Sequence, residues 1–439
     1  MRSLCMSTDS ILETISSWEK IDCKNSRSSS RSSSRKYPYL CSMRRNNTPP
    51  LSTMAERIVG QSMFKLLGEA KALEREGKDI IHFEIGDTHL EMPSEVKAAA
   101  VASLKKGRTH YGDSFGEHNL RTTVLKVFRE DYGFEPALGQ VVVTTGANPL
   151  IYYLLAVLAN PGEEVILTDP AFVTYRAAIA TLNLRGVYVP VTHKNNFRFS
   201  PGEIEKKLTK KTRVIVVNSP SNPTGAVYSK EDLVAIYNIA KRHNCFLISD
   251  EIYAPFVYEG KHFSVGTLDK CRERVIVTSG FSKPFAMTGW RVGYGVGPEA
   301  VIQKIGLLSQ TIVSCVPPFL QDACVTALEG RKKFSKVYLE EYTKLREIVC
   351  EELKKIPELD FAKPQGAFYL MIDVSRTGMT GDEFSAHLLR TTGVVVCPGS
   401  GFGEAGKNYV RLCYAINAAV KLREGCRRIQ KAVKELGSH

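Results

Sequence analysis

From Val141 to Val277, short runs of apolar residues alternate with longer stretches of helical period, and this alternation restricts the fold more than any other feature of the chain. Val214-Ile-Val-Val217 and Phe246-Leu-Ile-Ser249 are apolar at nearly every position rather than at every second one. A strand with one solvated face would alternate, so these strands are expected to be covered on both faces, as in parallel sheets flanked by crossover helices. The expected strands are Glu164 to Leu167, Arg185 to Val191, Arg213 to Val217, Phe246 to Ser249 and Arg274 to Val277, with helices over Tyr175 to Leu182 and Glu231 to Arg242. Polar motifs follow the strand ends, where open α/β sheets hold their ligands.

On either side the pattern is mixed. Met63, Leu66, Leu67, Ala70 and Leu73 fall at helical spacing across Ser62 to Glu76, and Gly77 closes the run. Ile80 to Gly86 reads as a short strand and Glu95 to Lys106 as a helix. Beyond Ile312, a helix rich in Lys and Glu (Lys336 to Lys354) leads to strand-like pieces at Gly366 to Ile372 and Val394 to Cys397. A chain of 439 residues exceeds the usual size of one domain. The expected division is a tail over 1–53, an arm with part of a smaller domain over 54–85, a large domain over 86–311 and a C-terminal small domain over 312–439.

The tail contains Ser26-Arg-Ser-Ser-Ser-Arg-Ser-Ser-Ser-Arg-Lys36, too poor in apolar residues to offset its ordering entropy, so disorder is expected. Its Ser/Arg bias suits a transit peptide, whereas Asp9, Glu13, Glu19 and Asp22 make it more acidic than such peptides usually are. The expected location is the cytoplasm, or a plastid or mitochondrion if the tail is a transit peptide. The net charge of +13 includes no Lys/Arg run interleaved with aromatics in the folded part, which argues against a nucleic-acid partner. No apolar run approaches the length of a bilayer span, so no membrane partner is expected. The eleven cysteines are scattered, without Cys-x-x-Cys pairs or zinc spacing, so neither a metal nor a disulfide framework is expected.

Four segments carry candidate chemistry. Thr278-Ser-Gly-Phe-Ser-Lys-Pro-Phe-Ala-Met-Thr-Gly-Trp-Arg291 presents one amine, Lys283, among apolar neighbours, with a guanidinium eight positions on. Desolvation there would lower the amine's pKa. Asp250 ends an apolar strand, where a carboxylate is costly to bury without a positive partner. Arg411, inside Val410-Arg-Leu-Cys-Tyr-Ala415, calls either for a buried acid or for an anionic ligand. Val141-Val-Val-Thr-Thr-Gly-Ala-Asn148 turns a strand through Gly146 into the helical run Leu150 to Leu158, leaving the N–H groups of Ala147 and Asn148 open to phosphate oxygens. By itself, Asn218-Ser-Pro-Ser-Asn-Pro-Thr-Gly225 reads as a Pro/Gly turn and Phe172 as a core residue.

Taken in order, these segments resemble the class I and II aminotransferases, pyridoxal 5′-phosphate enzymes of fold type I, over roughly Ser62 to Leu436. The resemblance implies an α/β fold, with a mainly parallel, seven-stranded-type sheet between helices in a large domain and a smaller α/β domain beside it. It implies that Lys283 holds the cofactor as a Schiff base and shuttles a proton, and that Asp250 faces the pyridine nitrogen. Tyr253 and Asn218 would bond the cofactor's 3′-oxygen, and Phe172 would stack on the ring. Arg291, Ser282 and the backbone at Ala147 and Asn148 would cup the phosphate, joined by Tyr111 from the second subunit of a homodimer. Gly86, Asn218 and Arg411 would contact substrate, with Arg411 on the α-carboxylate.

Three departures stand out. Gly280 replaces the serine that many relatives carry three residues before the lysine, leaving Ser279 or Ser282 to supply the donor. The loop Gly86-Asp-Thr-His-Leu-Glu-Met-Pro93 lacks the usual Gly-x-Pro-x-Phe form. Ala147-Asn-Pro149 lacks the lysine that acidic-substrate relatives can place there, so a dicarboxylate preference is unsupported. The activity implied is ping-pong transfer of an amino group between an L-amino acid and a 2-oxo acid. The alternatives are a lyase or decarboxylase on the same fold, and a non-catalytic regulator.

Overall fold

The computed structural model describes residues 49–58 and 60–436. The Ser/Arg-rich segment lies outside the described residues, and with it the expected disorder and the question of targeting. The strands are β1 (Ile81–His82), β2 (Val141–Thr144), β3 (Glu164–Asp169), β4 (Arg185–Pro190), β5 (Thr212–Asn218), β6 (Phe246–Asp250), β7 (Val275–Gly280), β8 (Gly293–Val296), β9 (Tyr369–Asp373), β10 (Val394–Val395), β11 (Cys397–Pro398) and β12 (Tyr409–Cys413).

Seven of these form one sheet in the order β2-β8-β7-β6-β5-β3-β4. Neighbours from β7 to β4 are parallel, and β8 runs antiparallel to both β2 and β7. The unbroken apolar runs are explained by the two faces. Val214, Val216, Ile248 and Ile276 join a cluster with Leu150, Leu154 and Ile305 of the helices Ala147–Leu158 and Glu299–Val313. Ile215, Val217, Leu247 and Val275 join a different cluster with Val124, Leu233 and Ala323 of the helices His118–Tyr132, Lys230–Arg242 and Pro318–Glu329. Adjacent residues thus face opposite helical layers, and each buried aliphatic side chain contributes about 1.5–3 kcal/mol.

Strand β8 escaped the sequence reading because Val292-Gly-Tyr-Gly-Val296 is too rich in glycine to look like a strand. The glycines admit a close backbone approach. A Cβ on Gly293 would lie 2.5 Å from the amide nitrogen of Ala147, and one on Gly295 would lie 3.0 Å from Leu150 Cδ2. The helix Ala147–Leu158 can therefore begin directly against the sheet.

Two smaller sheets, β11-β12-β9 (antiparallel) and β1-β10 (parallel), share a core of Tyr342, Leu345, Phe368, Leu370, Val394 and Leu412 with the helices Arg331–Leu353 and Ala419–Leu436. The strand expected over Ile80 to Gly86 is paired only at Ile81 and His82. Phe83 still donates to the Val395 carbonyl and accepts from the Cys413 amide, and beyond it the carbonyls of Glu84 and Gly86 accept hydrogen bonds from Arg411 and Lys283, so the end of the stretch serves side chains. The expected strand Val394 to Cys397 divides between two sheets at Val396, and Gly366 to Ile372 enters its sheet only at Tyr369, after a turn through Ala367 at φ 56°.

Gly293→Ala should therefore force β8 away from the start of the helix Ala147–Leu158. A loss of about 1–3 kcal/mol in stability is expected, read as a lowered thermal midpoint; an unchanged midpoint would show that the contact is not tight.

Candidate active site

A cavity of about 590 Å³ opens at the carboxyl ends of the parallel strands. Its lining brings together Gly86, Ala147, Asn148, Phe172, Asn218, Asp250, Tyr253, Ser282, Lys283, Arg291 and Arg411, residues spread over more than 300 positions of sequence. Tyr111 is the one expected site residue it lacks. That side chain is 86% exposed on this chain.

Lys283 follows the end of β7 by three residues. Phe281 and Phe285 on either side of it are buried and stacked, with ring centroids 5.7 Å apart, and they fix the loop to the core. The lysine Nζ donates to the Gly86 carbonyl at 2.5 Å. Burial lowers the amine's pKa to about 8, against the opposing pull of the Asp87 carboxylate.

Asp250 closes β6 and is 5% exposed. Its Oδ2 accepts from the Tyr175 hydroxyl at 2.5 Å, and its Oδ1 from the Ile252 amide at 3.3 Å. Burial pushes its pKa up to about 6 while the Tyr175 hydrogen bond pulls the other way. None of the ion pairs among the described residues involves it, so a buried carboxylate faces the cavity without a cation. Asn218, at the end of neighbouring β5, donates Nδ2–H to the Asp250 carbonyl at 3.0 Å and accepts from the Asn222 amide at 2.7 Å. The Tyr253 and Tyr369 hydroxyls are 2.7 Å apart.

One end of the cavity is built for an anion. Gly146, at φ 100°, caps the helix Ala147–Leu158, whose first N–H groups and dipole favour negative charge. A Cβ on Gly146 would lie 2.6 Å from Arg291 Nη2, so only glycine leaves the cradle open. Arg291 Nη1 donates to Ser282 Oγ at 3.3 Å and to the Thr288 carbonyl at 2.8 Å. Ser282 lines this cavity, whereas Ser279 faces a different one, so Ser282 is the hydroxyl available where Gly280 has none.

Arg411 resolves the choice left open by its sequence setting. It is 1% exposed and has no carboxylate partner among the described residues. Nη1 donates to Asn222 Oδ1 at 3.1 Å, Nη2 donates to the Glu84 carbonyl, and Nε is buried without a partner. Its Cζ lies 4.7 Å from the Tyr369 ring centroid and 4.8 Å from that of Phe402, so two aromatic faces hold the guanidinium. A buried cation left in this state is suited to a carboxylate ligand.

Sequence reasoning missed several residues of the site. Tyr175 stood only at the start of an expected helix, and its bond to Asp250 spans 75 positions. Asp87 accepts the Thr288 hydroxyl at 3.2 Å and joins two loops that are distant in sequence. Met63, Phe64 and Leu67 arrive from the helix Ser62–Arg75. Their helical period was legible; their position over the cavity was not.

These features define a class: an α/β enzyme holding a desolvated amine, an uncompensated carboxylate and an anion cradle in one cavity. The cradle beside Gly146, the unpaired Asp250 and the orphaned Arg411 Nε fit a cofactor that carries a phosphate and a protonatable ring nitrogen, together with a carboxylate substrate. A sequence profile of the family "Aminotransferase class I and II" matches residues 78–429. An aromatic-amino-acid aminotransferase of Thermococcus litoralis is 38% identical over 389 residues, covering 88% of this chain and 98% of the relative. An aspartate aminotransferase of Pyrococcus horikoshii is 37% identical over 386 residues, covering 87% and 97%. The solved aspartate aminotransferase of Thermus thermophilus with maleate superposes with a TM-score of 0.84 at 32% identity, covering 88% of this chain and all of that one. The chain belongs to the class I and II aminotransferases, and it is a pyridoxal-phosphate-dependent transaminase acting on amino and oxo acids. Among the described residues no helix is long and apolar enough to cross a membrane.

Tyr175→Phe removes a hydrogen bond to a buried charge, which is worth roughly 10–100-fold in an equilibrium or rate. The expected result is a kcat lower by that factor and weaker cofactor retention, with the thermal midpoint nearly unchanged. An unaltered kcat would show that Asp250 does not need this support.

Proposed function

We propose that Lys283 is the proton-transferring residue of this transaminase, that Asp250 and the Gly146–Asn148 turn hold its cofactor, and that Arg411 seats the substrate's α-carboxylate. The observation that carries this reading is the uncompensated, buried Arg411 guanidinium lining the same cavity as the desolvated Lys283 amine.

Pyridoxal phosphate, when bound, supplies an electron sink that makes loss of a proton from the substrate's α-carbon feasible. The remaining work falls to the chain. Asp250 presents a buried carboxylate that favours a positive ring nitrogen opposite it, and Tyr175 keeps that carboxylate ionised and oriented. Tyr253 and Asn218 offer donors for the ring oxygen, and Phe172 supplies an aromatic face. Ala147 and Asn148 N–H groups, Ser282 and Arg291 hold the phosphate. Arg411 fixes the carboxylate so that one Cα–H bond is presented to Lys283. With a pKa lowered to about 8, the Lys283 amine accepts and returns that proton near neutral pH. Burial of the surrounding groups excludes water from the exchange.

The side-chain end of the cavity is walled by Met63, Phe64, Leu67 and Ile85. The cavity's cations are Lys283, Arg291 and Arg411, each already given a role, and Asp87 opposes a second substrate carboxylate. This supports amino donors with neutral, apolar side chains, in keeping with the relative named for aromatic amino acids. The reading also takes 86–311 as the cofactor-binding domain and 54–85 with 312–439 as the smaller one, supported by their separate sheets, although the helix Pro318–Glu329 beyond that boundary packs in the large sheet's core. It takes the working form as a homodimer, supported by the exposed Tyr111 and by exposed Leu104, Leu307 and Ile312; a sedimentation mass of one chain would refute it.

The proton role is tested in the half-reaction that begins with the cofactor in its amine form and Lys283 free. Only the unprotonated amine accepts a proton, so the single-turnover rate should climb as pH rises through about 8 and level off above it. Lys283→Arg should abolish the phase altogether. A flat profile from about pH 6 to about pH 10, or turnover in the variant, would refute the assignment.

A further inference from the structure

The loop that carries Lys283 also walls a second cavity. It encloses about 290 Å³ and shares no lining residue with the active site. Along the loop, Ser282, Lys283 and Arg291 line the first cavity, and Gly280, Pro284 and Phe285 line the second. The rest of the second wall is mostly apolar, with Val127, Pro255 and Leu328 prominent.

Among the described lining, one fully buried side-chain nitrogen lacks a partner. The His262 side chain is 8% exposed, and its Nε2 lies 2.9 Å from Glu251 Oε2. Glu251 is 1% exposed, and its Oε1 accepts the Ser249 and Ser264 hydroxyls, each at 2.8 Å. With the Glu251 carboxylate accepting on both oxygens, Nε2 carries the hydrogen between the two residues. Nδ1 is buried and has no partner among the described residues. In the neutral ring that nitrogen holds a lone pair, to which an occupant would bring an O–H or N–H.

The rim sets the occupant's charge. Arg331 is held by Asp131 at 2.7 and 2.8 Å and by Glu130 at 2.7 Å. Lys332 lies 3.6 Å from Glu130 and 3.9 Å from Asp131. Both cations are already matched, so neither calls for an anion. The volume is roughly twice that of an apolar cavity that holds benzene, so a ring with substituents fits.

We propose that this cavity is a second binding site, for a small neutral ring compound whose single hydroxyl or N–H donates to His262 Nδ1. Such a molecule would touch Gly280, Pro284 and Phe285 around the catalytic lysine, and Ala254 and Pro255 just after Tyr253. Its binding is therefore felt in turnover without competing for the substrate's place.

The test uses the holoenzyme, with phenol as the probe and benzene as the probe lacking a donor, followed by ligand-detected NMR and by steady-state kinetics. Phenol should bind saturably, benzene roughly tenfold more weakly, and phenol should change kcat without being displaced by saturating amino donor. Leu328→Trp, which fills the cavity from its apolar wall, should abolish phenol binding. Ser335→Phe, which fills it from the rim, gives the same result should the first variant fold poorly. No saturable phenol binding would mean that water alone meets His262. Equal affinity for benzene, survival of binding in a filled variant, or displacement by amino donor would each overturn the proposal.

Discussion

A primary amine sits at the carboxyl edge of a parallel sheet, with the Gly86 carbonyl as its hydrogen-bond acceptor and buried phenylalanines on either side of it in the chain. Placing an ammonium there is costly, so the surroundings favour the neutral amine. Much of the site manages the electrostatic consequences of that placement. Arg291 and Arg411 add positive charge to the cavity, and Asp87 and Asp250 are its carboxylates, with Asp250 and Arg411 buried and without ion-pair partners among the described residues. A structure that buries charges and leaves them unpaired is storing sites for ligands that complete the pairs.

The sheet supplies the precision. Asn218 and Asp250 close adjacent parallel strands in register, and Lys283 follows the strand beside them. Their spacing is therefore set by interstrand hydrogen bonds, not by flexible loops. The turn at Gly146 rests on the same sheet, because Gly293 lets the helix Ala147–Leu158 start against β8. The loop after β7 lines a second cavity as well, through Gly280, Pro284 and Phe285.

Much of this was legible before any fold was known. Strands buried on both faces announce themselves through unbroken apolar runs, and Lys283, Asp250 and Arg411 are chemically conspicuous in apolar segments. What failed to show was whatever depends on distant partners. Tyr175 looks like any helical tyrosine until β6 is placed beside it. The stretch Ile80 to Gly86 has strand composition, but its Glu84 and Gly86 carbonyls are taken by Arg411 and Lys283, and only Ile81 and His82 pair in register. Strand β8 was hidden by the glycines that make its packing possible. Tyr111, exposed and outside the cavity of its own chain, is not placed by the single-chain fold at all.

The account stands on the Lys283 amine being the atom that holds the cofactor. Borohydride reduction of the holoenzyme, followed by proteolysis and peptide mass mapping, reads this directly. The account predicts that the added mass lies on the peptide containing Lys283 and on no other lysine. A label on a different lysine, or a reduced holoenzyme that releases all its cofactor on denaturation, would contradict it.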